Sequence, residues 1–242
     1  MRYAVFSDIH ANLEALEAVV SIYQRQDIDT YLCAGDVVGY GANPNECIQV
    51  LKTLNPIVVA GNHDWAVIEK FSIADFNPEA KEAILWTRQQ LSSNNKQWLE
   101  KLPLIYEQDD FVLVHGSLSQ PEEFHYLIYT ESYHHNFKLL KNRICFLGHT
   151  HIPVVVVKEK DGCLRYIDKE HFFIEKDKQY IINVGSVGQP RDGKATACYC
   201  IYDSSGSSVS IKRVSYDIFS ARQKIIRYGL PRFLGDRLLV GN

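Results

Sequence analysis

The chain has 242 residues, 46% of them apolar and 23% charged, with 26 basic against 29 acidic side chains and a net charge of −3. That balance excludes a disordered chain, a collagen-like repeat and a disulfide miniprotein, and it creates no overall field toward nucleic acid or anionic membrane. A chain of this length buries roughly 70–75% of the surface its unfolded form exposes, so one domain spanning 1–242 is expected without any staple. No secretory apolar core fits the opening Met1–Asp8 stretch, and no run approaches the ~18 apolar residues of a membrane span. The six cysteines, at 33, 47, 145, 163, 198 and 200, contain no C-x-x-C pair. Buried free thiols and a cytoplasmic location are the expectation.

In chain order, Tyr3–Phe6 reads as a buried strand, and 11–26 as a helix with Leu13, Leu16, Val19, Val20 and Tyr23 on one face. Thr30–Cys33 is a second strand, 43–54 a second helix with Pro44 in its first turn, and 57–59 a third strand. This alternation predicts a parallel sheet with crossover helices. A helical pattern covers 78–100. Beyond Pro103 short strands pair across turns: 104–106 with 111–114, 154–157 with 164–167, and 197–202 with 209–214, while 144–147 is a further buried strand. A terminal helix over 217–228 should end at Gly229 and Pro231. The pattern as a whole predicts an α/β fold with two sheets face to face and helices outside.

The chemistry gathers where strands end. Asp8-Ile9-His10 follows the first strand, Gly35-Asp36 the second, and Gly61-Asn62-His63-Asp64 the third. His115-Gly116 and Gly148-His149-Thr150-His151 close two later ones. Ligands collect at strand carboxyl ends in open α/β sheets because the helical connections leave a crevice there. In extended backbone a spacing of two sets both side chains on one side, so Asp8 with His10, and His149 with His151, can converge on one ion or on two adjacent ions. Glycines 35, 61 and 148 would let the chain turn tightly just before each ligand. Singly, each residue has a plainer explanation: Asp8 could cap a helix, and His115 could pack in a turn. Turn chemistry does not, however, ask for histidine at so many strand ends together.

This series of blocks, in this order, resembles the calcineurin-like metallophosphoesterase superfamily. Asn183-Val184-Gly185-Ser186-Val187-Gly188-Gln189-Pro190-Arg191 and Gly35-Asp36-Val37-Val38-Gly39-Tyr40-Gly41 are similar to its small bacterial and archaeal branch. The resemblance implies a four-layer α-β-β-α sandwich, two mixed β-sheets flanked by helices. It also implies that Asp8, His10 and His151 hold one metal, that Asn62, His115 and His149 hold a second, and that Asp36 bridges them. The implied cofactors are two divalent or trivalent ions, Mn, Fe or Zn; the oxygen and imidazole donors include no thiolate and do not choose among them, and Mn is the expected assay metal. The implied reaction is in-line attack on phosphorus by a metal-bridging hydroxide, with His63 as general acid. Asp64 either orients His63 or caps the following helix. Arg191 is the candidate phosphate-gripping cation, with Asn12 and Tyr40 at the rim.

Protein serine/threonine phosphatases of the superfamily carry Asp-Arg-Gly shortly after Gly-Asp, where this chain has Gly39-Tyr40-Gly41. That departure argues against a protein phosphatase and against the symmetrically cleaving dinucleoside tetraphosphatase that shares the motif. A phosphodiesterase or nucleotide-type phosphoesterase acting on a small-molecule ester is expected, ahead of a phosphomonoesterase or dinucleoside polyphosphate hydrolase. A non-catalytic scaffold should have lost ligands or the acid, and this chain keeps them. Nucleic acid is not the expected partner: Arg222, Lys224, Arg227, Arg232 and Arg237 read as the wet face of a helix. The loop from Ser117 to Tyr133, with Phe124, His125, Tyr126 and Tyr129, either packs a lid or stacks on a base.

Overall fold

In the computed structural model, which describes residues 1–242, strands β1 (Arg2–Phe6), β2 (Thr30–Cys33) and β3 (Ile57–Val58) lie parallel. Helices α1 (Leu13–Tyr23) and α2 (Pro44–Leu54) make the crossovers. Asn12 starts α1, its side chain accepting from the Ala15 N–H at 3.2 Å. The short helix α3 (Asn62–Val67) leaves the end of β3. The predicted 78–100 helix is two helices, α4 (Pro78–Gln90) and α5 (Ser93–Glu100). Leu91 is extended between them, and Ser92 begins α5 by accepting from the Asn95 N–H. A serine that can satisfy that N–H stabilises a restart over a continuous helix.

The second half builds β4 (Ile105–Glu107), β5 (Phe111–Val114), α6 (Thr130–Leu139), β6 (Ile144–Leu147), β7 (Val154–Lys158) and β8 (Leu164–Tyr166). It continues with β9 (His171–Phe173), β10 (Gln179–Asn183), β11 (Ala197–Asp203), β12 (Ser208–Val214), α7 (Ile218–Arg227) and α8 (Arg232–Asp236). One sheet has the order β3-β2-β1-β11-β12-β9 and the other β4-β5-β6-β10-β7-β8. Each is mixed: three parallel strands, β3-β2-β1 or β5-β6-β10, extended by antiparallel neighbours. The expected two-sheet sandwich flanked by helices is therefore observed.

Alternation along each strand assigns its two faces. Tyr3 and Val5 of β1 point between the sheets, where they meet Phe111, Phe146, Tyr180 and Tyr202. Ala4 and Phe6 point outward onto Leu16, Val19 and Tyr23 of α1. Tyr133 and Phe137 of α6 cover Val112, Val114 and Cys145 on the outside of the second sheet. Burying each large apolar side chain in these layers contributes roughly 1.5–3 kcal/mol. Helices α7 and α8 dock Ala221, Ile225 and Leu234 against Ala80 and Ala83 of α4. All six cysteines are free; five are buried and Cys163, in the β7–β8 turn, is exposed. No helix is long and apolar enough to cross a membrane.

Candidate metal centre

The carboxyl ends of β1, β2, β3, β5 and β6 open into one crevice, and the chain's leading histidines and aspartates meet there. Asp8, His10, Asp36 and His151 each bring a ligand atom within 4.8 Å of one another, and so do Asp36, His115 and His149. All are buried, and Asp36 belongs to both groups. Asn62 joins the second, its Oδ1 lying 3.2 Å from His115 Nε2.

Extended-strand periodicity is not what makes these side chains converge. Asp8, His10, Asp36, His149 and His151 all have left-handed backbone, with φ between 48° and 69°. For a non-glycine residue that conformation costs about 1–3 kcal/mol, and such strain collects where a site needs it. The glycines also act differently from the expectation. Gly35 does turn with positive φ, but Gly61 (φ −99°) and Gly148 do not. They are required for space, because a Cβ at Gly148 would stand 2.3 Å from Asp8 Oδ2 and one at Gly61 would stand 2.1 Å from Asp36 Oδ1.

Three histidines have their tautomer fixed by the backbone. His10 Nδ1 lies 3.2 Å from the Val38 carbonyl, His115 Nδ1 2.7 Å from Ala34, and His151 Nδ1 2.6 Å from Gln189. A carbonyl only accepts, so each Nδ1 carries a proton, and each ring when neutral presents its Nε2 lone pair to the crevice. His10 Nε2 and His151 Nε2 are 3.0 Å apart, with His151 Nε2 3.3 Å from Asp8 Oδ1. His10 Nε2 is 3.6 Å and His115 Nε2 3.3 Å from the same Asp36 Oδ2. His149 Nε2 is buried with no hydrogen-bond partner. Two donors about 2.1 Å from a shared ion lie about 3.0–3.4 Å apart, so these spacings fit a cation among them.

The charges are arranged accordingly. Burial holds His10, His149 and His151 well below the usual imidazole pKa. Burial would also lower His115, but Asp36 beside it overcomes that and raises it to about 9. For Asp36 the balance is reversed: burial favours the neutral acid, yet His115 and His63 keep the carboxyl far below the carboxylate range. Burial raises Asp8 to about 7. Near pH 7 His115 therefore carries a proton and Asp8 is held partly protonated, and cations entering the crevice would have to displace these protons. Calorimetry of Mn²⁺ binding at pH 7 in buffers of different ionisation enthalpy should show roughly one to two protons released. That number should fall as the pH rises past 9, and heats independent of buffer would contradict it.

The stretch 183–191 braces this crevice. Asn183 Nδ2 donates to the Gly148 carbonyl at 2.5 Å, Ser186 Oγ donates to the Asp8 carbonyl at 2.7 Å, and the Gln189 carbonyl fixes His151. Sequence reasoning assigned no part to these three residues, and at Gln189 no signal was available because the backbone oxygen does the work. Asp64 does not touch the His63 ring through a hydrogen bond. Its Oδ1 accepts from Val37 and Val38 N–H and its Oδ2 from Gly61 N–H, so it ties α3 to the β2 loop rather than orienting His63. Asn12 is likewise committed: beyond capping α1, its amide donates to the Gly188 carbonyl at 2.8 Å, which takes it from the substrate rim.

His63 and Tyr40 do lie at the crevice, their rings 4.4 Å apart and each within 5 Å of the His10 ring. His63 Nδ1 is buried without a partner, and burial lowers its pKa to about 4. The Arg191 guanidinium lies 5.6 Å from the Tyr40 ring centre, with Nη2 on Gln189 Oε1 at 2.8 Å and Nε buried and unpartnered. Arg237 does not lie on a wet helix face. It turns inward to donate to the same Gln189 Oε1 at 3.1 Å, and burial together with Arg191 lowers its pKa to about 10. The predicted 117–133 loop ends early, because α6 begins at Thr130.

The family model described as the calcineurin-like phosphoesterase superfamily domain matches residues 1–207. Over 244 aligned residues the chain is 42% identical to the uncharacterized protein MJ0912 of Methanocaldococcus jannaschii, covering 98% of this chain and 97% of that one. Its structure is similar to that of a metallophosphoesterase from Sphaerobacter thermophilus, at 37% identity, a TM-score of 0.89 and full coverage of both chains. The hypothetical protein PH1004 from Pyrococcus horikoshii shares the fold, with a TM-score of 0.81 at 20% identity over 100% of this chain and 98% of that one.

Proposed function

The chain belongs to the calcineurin-like phosphoesterase superfamily, and from that premise we propose that it hydrolyses small phosphodiesters or nucleotide-type phosphate esters with two bound cations. The observation that carries this reading is the facing pair of lone pairs on His10 and His151 Nε2, 3.0 Å apart, a contact that a positive ion relieves. Bound among these donors, cations such as Mn, Fe or Zn supply positive charge to the ester oxygens and acidify water.

The other tasks fall to side chains. Arg191, with a buried unpartnered Nε, is placed to hold a non-bridging phosphate oxygen, a contact strengthened by charge on both sides. His63 donates a proton to the leaving oxygen as the P–O bond to it breaks, while the oxygen of a water that has released a proton to solvent joins phosphorus in line on the opposite side. Burial keeps His63 neutral at pH 7 in the free protein. An anionic ester beside it counters that burial and raises its pKa toward the working range. Tyr40 packs on the His63 ring and holds it in place.

With Mn²⁺ added, bis(p-nitrophenyl) phosphate should turn over faster than p-nitrophenyl phosphate. Faster release from the monoester would favour a phosphomonoesterase instead. Failure of both esters with Mn, Fe and Zn would remove the hydrolase reading.

A further inference from the structure

Beside the metal-ligand cluster lies a cleft of about 320 Å³, within the range that small-molecule sites occupy. His63 and His149 form part of its floor. Phe71 and Phe76, from the stretch joining α3 to α4, and Phe124 and Tyr126, which precede α6, line its sides. The rings are arranged edge to face or tilted: Phe71 on Phe124 at 5.2 Å and 86°, Phe71 on Phe76 at 6.2 Å, and Phe76 on His63 at 5.2 Å. Tyr126 lies flat on the His149 ring, at 3.8 Å and 17°. Yet Tyr126 is 50% exposed and lines the cleft. None of these four aromatics belongs to the sheet interior.

The rim differs from the walls. Asp75 and Glu123 line the cleft and are exposed. Asn77 uses its side-chain oxygen to cap α4, accepting from the Ala80 N–H at 2.8 Å, which leaves its amide group at the cleft. Two carboxylates repel a further phosphate but accept hydrogen bonds from N–H groups on the edge of a ring. Arg191, the cation for the phosphate oxygens, is not among the lining residues, whereas His63, the proton donor to the leaving oxygen, is.

We propose that this aromatic cleft is the leaving-group subsite and takes a nucleoside, an uncharged planar base packed against these rings with its N–H edge toward Asp75 and Glu123. The assignment of the leaving side rests on the phosphoesterase reading above; the stacking site itself does not. The substrate class is then a nucleoside phosphodiester rather than a simple alkyl ester or a sugar phosphate.

The test uses nucleosides that carry no phosphate. On the full chain with Mn²⁺, guanosine or adenosine should inhibit bis(p-nitrophenyl) phosphate hydrolysis competitively, and ribose should not. The same nucleosides should give binding heats and change the fluorescence of Trp65, whose ring lies 5.5 Å from Phe124. Phe71→Leu, which keeps the apolar bulk but removes the ring, should weaken nucleoside binding about 5- to 150-fold. Phe71→Ala serves as the second variant. Hydrolysis that nucleosides leave untouched, with no binding heat, overturns the subsite while sparing the phosphoesterase reading. Nucleoside binding equal in Phe71→Leu, Phe71→Ala and the parent overturns it too. Loss of all ester hydrolysis with nucleoside heats retained overturns the phosphoesterase reading and supports the subsite.

Discussion

His63→Gln should lower kcat about 10²–10⁴-fold on esters with alkoxide leaving groups while leaving metal content unchanged. The reasoning starts from placement. His63 is the second residue of α3, and its backbone N–H, not its ring, is tied to the centre through Asp36 Oδ1 at 2.9 Å. Glutamine keeps that backbone bond and much of the side-chain volume but cannot deliver a proton. A p-nitrophenolate leaves readily without one, so its hydrolysis should suffer far less than that of an alkyl ester. The parent should also lose kcat as the pH rises through the pKa of His63 in the ester complex, since the acid works only when protonated, and the variant should lack that limb. An equal loss on both leaving groups, or loss of bound metal, would contradict the role given to His63.

Asp36→Asn should empty both cation positions. Asp36 Oδ2 lies 3.6 Å from His10 Nε2 and 3.3 Å from His115 Nε2, and it is the only side chain common to the two ligand groups. Asparagine keeps the oxygen that accepts the His63 N–H, so the fold should survive, but the negative charge is gone. In the parent, Mn²⁺ at a hundred times its dissociation constant stabilises the fold by about 2.7 kcal/mol for each occupied site. In Asp36→Asn that gain should vanish, with ester hydrolysis falling to background. The metal-free variant offers an independent reading. His115 owes its pKa of about 9 to Asp36, so the His115 ring resonances should titrate well below 9. Two metal ions per chain in the variant, or an unmoved His115, would refute the bridging assignment.

Much of the architecture was legible because the strands and helices are strongly patterned. The three parallel strands at the start and the three turn-linked pairs all formed where the sequence placed them. What escaped were weakly marked elements. β10, a central strand, shows only Tyr180-Ile181-Ile182 as an apolar run beside polar Gln179, too short to separate from a loop. α6 went unassigned: its first four residues fell in the aromatic 117–133 loop, and the rest carries little helical contrast. The split between α4 and α5 turned on one serine cap.

At the centre, the sequence determined which side chains offer ligand chemistry and that they stand at strand ends. Side-chain chemistry and short-range spacing are properties of the chain itself. Only the tertiary structure decided how those side chains meet. Left-handed backbone at five candidate ligands and carbonyls supplied from Val38, Ala34 and Gln189 aim the imidazole nitrogens. The same packing draws Arg237 toward Gln189 and commits Asp64 and Asn12 to backbone groups. The reason is physical: a hydrogen bond to a backbone carbonyl, or the space a missing Cβ leaves, depends on distances between segments far apart in the chain, 178 residues in the case of Ser186 and Asp8, and no local pattern encodes them.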